Sequence, residues 1–152
     1  MAAGDGFLIG APGFTATGGG GGAAYLFDGP TGALLRTFSN PSPAAGDTFG
    51  YGLAVLGDRV AVGDPSDNTR GENGTGEEFT GAVYLIDGDS GALSETLLGV
   101  AYLQRFGGGL AALGGGLAVT SASPIDVRSI QIFSPCSDGT VDPQPFQADH
   151  DG

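Results

Sequence analysis

Lysine and tryptophan are missing from this chain, and five arginines face seventeen acidic residues. The net charge of −12 repels phosphate backbones and anionic headgroups, so neither nucleic-acid binding nor attraction to a membrane is expected. Cys136 is the only cysteine, which excludes a disulfide within the chain. The only histidine, His150, lies beside Asp149 and Asp151 near the C-terminus. One histidine and one cysteine do not make a multi-histidine or cysteine-rich zinc site. No apolar run is long enough to span a bilayer, and no basic segment precedes an apolar core at the N-terminus, so neither membrane insertion nor a signal peptide is read here.

Glycine fills 31 positions and proline 9 of the 152. So much glycine disfavours helices, because it forfeits backbone entropy and brings no side chain to pack. The glycines lack a three-residue period, which excludes collagen, and apolar runs are too frequent for a disordered chain. An all-β protein of short strands and tight turns is expected.

Two stretches nearly repeat each other 59 residues apart: Ala24-Tyr25-Leu26-Phe27-Asp28-Gly29-Pro30-Thr31-Gly32-Ala33-Leu34 and Val83-Tyr84-Leu85-Ile86-Asp87-Gly88-Asp89-Ser90-Gly91-Ala92-Leu93. A β module copied along the chain explains them. Each Asp-Gly segment joins two apolar runs as a hairpin turn, with the aspartate accepting bonds from the turn's own amides in preference to holding a metal. Three units follow, at about residues 1–48, 49–105 and 106–133, with residues 134–152 as an extended tail and candidate donor strand. Runs such as Leu53-Ala54-Val55 and Val60-Ala61-Val62 are continuously apolar, as suits strands buried on both faces.

Phe49-Gly50, Leu53-Ala54-Val55, Val60-Ala61-Val62-Gly63-Asp64-Pro65 and Gly81-Ala82-Val83-Tyr84-Leu85-Ile86 together resemble an FG-GAP repeat, the unit of integrin α-chain propellers. Phe106-Gly107 repeats the FG element and Gly10-Ala11-Pro12 matches the GAP element. The resemblance implies a propeller-like array of about three four-stranded antiparallel blades. The first blade lacks its FG strand and the last lacks an evident fourth strand. It also implies calcium, although the usual D-x-D/N-x-D/N-G pattern is not present in standard form.

Residues 63–79 form the most acidic loop. Asp64, Asp67, Asn68, Glu72 and Glu77 offer oxygens to a calcium ion, whose coordination tolerates irregular spacing better than that of magnesium. Asn73-Gly74-Thr75 is an N-glycosylation acceptor pattern. No pair of carboxylates stands out for hydrolysis, and no lysine follows the glycine runs to make a phosphate loop. The function expected is that of a non-enzymatic structural protein, extracellular or at the cell surface. It would assemble with copies of itself by strand exchange between incomplete blades, stiffened by calcium and bearing glycans. The alternatives are a calcium-dependent adhesion module and a fragment of a larger propeller.

Overall fold

A computed structural model describes residues 6–16, 20–68, 79–100, 103–121, 129–135 and 141–144. Every element among them is a strand. Sheet I runs in the order β1 (Gly6–Ala16), β2 (Gly20–Asp28), β3 (Leu34–Ser39). Sheet II holds β4 (Gly52–Leu56), β5 (Arg59–Asp64), β6 (Ala82–Asp87) and β7 (Leu93–Leu98). Sheet III holds β8 (Phe106–Leu113), β9 (Gly116–Ser121), β10 (Ile130–Pro135) and β11 (Val141–Gln144). All pairings within the sheets are antiparallel between sequence neighbours.

The repeated hairpins have the same construction. Asp28 N and Asp87 N donate to Ala33 O and Ala92 O at 2.8 and 2.9 Å. Each aspartate carboxylate accepts an amide three residues on, Thr31 N at 3.0 Å and Ser90 N at 2.6 Å. These aspartates serve their own turns, as expected of residues whose short carboxylate reaches the local backbone. The Ser90 hydroxyl and amide hold the Asp87 carboxyl below the usual range.

The sheets pack face to face through two apolar layers. Val60, Val62, Tyr84 and Ile86 of sheet II meet Ala24, Leu26 and Phe38 of sheet I, with Phe49 between the sheets. The opposite face of sheet II presents Ala61, Val83, Leu85 and Leu97 to Phe106, Leu117, Val119 and Phe133. Both faces of the middle sheet are therefore covered, which accounts for its unbroken apolar runs.

Each crossover between sheets carries a Phe-Gly pair laid against the preceding sheet. Phe49 and Phe106 form parallel bridges with Gly22 and Gly81. At Gly81, φ is +80° and a Cβ would stand 2.2 Å from Phe106 O, so only glycine fits there unstrained.

Two expectations about completeness come out differently. Among the described residues, sheet I has three strands and no counterpart of β4 and β8. Sheet III has a fourth strand: Val141 to Gln144 pairs with β10, from Pro135↔Val141 to Ile132↔Gln144. These residues, assigned from sequence to a tail available for donation, instead complete their own sheet. Pro143 had concealed them, but proline is tolerated on an edge strand, where one side of the backbone needs no partner.

Candidate metal centre

Sheet I hands over to sheet II through residues 40–51, and a buried polar cluster lies at that crossover. Asn40, just beyond β3, donates through Nδ2 to Asp47 Oδ2 at 2.9 Å and to Asp64 Oδ2 at 3.2 Å. Asp47 Oδ2 also accepts Ala44 N at 2.7 Å, which folds the loop back on itself. Asp64 ends β5, and its Oδ1 accepts Thr48 N at 2.8 Å, Thr48 Oγ1 at 3.2 Å and Ser66 N at 3.2 Å. Asp67 is fixed by Tyr84, whose hydroxyl donates to Oδ2 at 2.5 Å, and by its own carbonyl, which accepts Gly81 N at 3.0 Å.

Asp47, Asp64 and Asp67 thus each bring a carboxylate oxygen within 4.8 Å of the other two. They are 5, 0 and 1 % exposed. At such separations each pair of full charges repels by about 3 kcal/mol even at an effective dielectric constant of about 20. Burial is the largest cause pushing the Asp64 carboxyl up to about 6, with the charges of Asp47 and Asp67 adding to it and the Thr48 amide opposing. Burial also raises Asp47, again with Asp67 adding and the Ala44 amide and Asn40 opposing.

One oxygen in this cluster, Asp47 Oδ1, is buried without a hydrogen-bond partner among the described residues. A buried acceptor left unpaired is costly, and a cation satisfies it as well as a donor does. Three buried carboxylates this close together could hold a metal ion, and their hard oxygens favour a hard cation. The residues present fit such an ion.

Sequence reasoning named Asp64 and Asp67, and the structure brings both together. Asn68 follows Asp67 and is half-buried. Glu72, Glu77 and the acceptor residue Asn73 lie outside the described residues. Asp47 was missed because it sits seventeen residues before Asp64, in a different connection. Its one sequence signal is its place two residues ahead of Phe49-Gly50.

No protein-family model matches this chain, and no curated protein is significantly similar to it.

Proposed function

We propose that this chain is a non-enzymatic structural module of propeller-like, FG-GAP-type blades that joins copies of itself end to end and is stiffened by calcium. The observation that carries the reading is the correspondence between the two outermost sheet faces and the faces already used inside the molecule. On sheet I, Phe7 and Ile9 occupy the positions that Val60 and Val62 hold on sheet II. The valines are 0 % exposed under a preceding sheet, whereas Phe7 and Ile9 are 44 and 47 % exposed. Phe27 stacks on Phe7 with ring centroids 5.3 Å apart, and Tyr25 lies opposite Ile9, so the apolar surface is continuous.

At the other end, Ala118, Ile130 and Ile132 of sheet III stand where Ala61, Val83 and Leu85 of sheet II receive the next sheet. Ile130 is 54 % exposed. A second copy placed with its sheet III against sheet I would repeat a packing the chain makes twice by itself. Such a contact is head-to-tail, and it produces a filament or a ring according to whether its rotation closes. Among the described residues β1 is an edge strand of sheet I, where β4 and β8 stand in the other sheets, and its edge would offer backbone groups for a partner strand to pair.

Calcium at the Asp47–Asp64–Asp67 cluster would tie the crossover to sheet II, and an extracellular or cell-surface setting supplies the ion at concentrations that modest sites can use. A glycan on Asn73 belongs to the same reading, and its enzymatic removal is expected to lower the mass of material from the native source.

The test uses opposite ends. Wild type in calcium is expected to grow in sedimentation velocity as concentration rises, whereas Phe7→Glu and Ile130→Glu are each expected to remain monomeric. Mixed, the two variants should form a dimer and stop, because one sound head meets one sound tail. A wild type that stays monomeric, or a mixture that yields no dimer, would refute end-to-end assembly. The exposed face and edge strand of sheet I equally favour a second reading, a set of blades within a larger propeller, and a monomeric wild type would support it.

A further inference from the structure

The two crossovers between sheets are one device built twice. Phe49 N donates to Gly21 O at 3.0 Å, and Phe106 N donates to Thr80 O at 3.0 Å. Asp47 and Gln104 each stand two residues ahead of that phenylalanine. Asp64 and Ser121 each close the second strand of the sheet that follows. In the second crossover these positions make a neutral buried pair. Gln104 Nε2 donates to Ser121 Oγ at 3.2 Å, and Gln104 Oε1 accepts Val100 N at 2.6 Å.

In the first crossover the same two positions carry carboxylates, with Asp67 as a third. Both crossovers seat their phenylalanine on the preceding sheet by the same backbone bond, and the buried pair beside it differs in charge. At the second crossover, the pair at these two positions is joined by a hydrogen bond between an amide and a hydroxyl, with no carboxylate at either. The acids at the first bring like charges together and leave Asp47 Oδ1 buried and without a partner among the described residues.

We infer that the joint between sheets I and II is gated by a divalent cation, and that the joint between sheets II and III is not. The inference rests on the calcium reading above and adds where the ion acts. Without the ion, mutual repulsion falls on Asp47, because it rides on the crossover loop while Asp64 ends a strand and Asp67 is held by Tyr84. Withdrawal of Asp47 removes the acceptor of Ala44 N and one of the two acceptors of Asn40. It also strains Phe49, two residues on, which seats the crossover against sheet I. Calcium release therefore loosens sheet I, whose outer face is one of the two proposed docking ends, and leaves sheets II and III locked together.

The experiment is hydrogen exchange of the full chain in calcium and in chelator, beside calorimetric titration with calcium alone. With calcium at about ten times its dissociation constant, chelation is expected to speed exchange about tenfold in peptides spanning residues 44–50. Peptides spanning residues 99–107 should change less than about twofold. The variant Asp47→Gln with Asp64→Ser, which copies the second crossover into the first, should lose the response. Should that variant fail to fold, the wild-type comparison decides by itself. Binding with an equal response at both crossovers, or a response that survives the double substitution, overturns the inference but not the calcium reading. Absence of calcium binding overturns both.

Discussion

Raising the pH of the calcium-free protein from about 4 to about 7.5 loads the buried cluster with charge, and the direction of the stability change follows from Asp64. Its carboxyl is pushed up to about 6 in the fold from the ordinary 3.8. Between those values the folded chain holds a proton that the unfolded chain has released. Stability therefore falls as pH rises through this window, and the full loss is reached above the folded value. At 1.36 kcal/mol per pH unit the loss from Asp64 alone is about 3 kcal/mol. Asp47, shifted the same way, deepens it. Asp87 acts in the opposite sense, but its lowered carboxyl is exposed and loses its contribution only toward the acid end.

Urea unfolding measures this directly. With no tryptophan to follow, circular dichroism reports the transition, and the midpoint at constant slope gives the stability change. In chelator the midpoint should drop between about pH 4 and about pH 6 and then level off. In excess calcium the drop should be largely abolished, since the ion takes the place of the protons. Asp64→Asn should flatten the chelator curve. A calcium-free midpoint that stays level or climbs through the window would refute the argument, because the cluster would then be ionised in the fold without cost.

The seam between sheets offers two further tests. Gly81→Ala forces a Cβ to 2.2 Å from Phe106 O at a φ of +80°, and a loss of at least about 2 kcal/mol in urea unfolding is expected. Gly57→Ala is the control, since φ is +61° and nothing lies within 4 Å, so only the conformational cost of about 1 kcal/mol should appear. Arg36 of sheet I donates to Gly88 O and Ser90 O at 3.1 Å each and also to Asp89 O, clamping the β6–β7 turn of sheet II. Arg36→Met keeps the stem but loses the fork. It should cost about 1 to 2 kcal/mol and speed exchange in that turn, and Lys should not restore it because its point charge cannot span three carbonyls.

Most of the architecture was legible because its signals are local. The Asp-Gly turns, the glycines at their ends and the short apolar runs each fix their own neighbourhood, so the three hairpin units could be laid out directly. The continuous apolar character of Val60-Ala61-Val62 also announced burial on both faces. The fourth strand of sheet III escaped because its signal is weak. Val141 to Gln144 offers one apolar residue, an acid and a proline, and only pairing with Ile132 to Pro135 makes it a strand. The metal-ligand set was legible only in part, for a related reason: Asp64 and Asp67 come together, and Asp47 joins them. A run of acids in one loop suggests that they act together, yet the cluster draws on two connections, and Asp47 reaches Asp64 only after sheets I and II have packed.

Asp47 could be found from sequence only by using the repeat as an alignment of the chain with itself. Setting Asp47-Thr48-Phe49-Gly50 over Gln104-Arg105-Phe106-Gly107, and Gly63-Asp64 over Thr120-Ser121, shows two coupled positions changing together from neutral to acidic. Either acid alone would face an amide or a hydroxyl able to donate to it. Both together face each other across a buried space, and Asn40 Nδ2, which donates to one oxygen of each, leaves Asp47 Oδ1 without a partner among the described residues. A pair so placed gains stability from positive charge supplied from outside the chain, as protons provide below about pH 6 and a divalent cation would provide above it. The neutral pair at the second crossover carries no such charge, so two joints seated by the same backbone bond should differ in what they require from the surrounding solution.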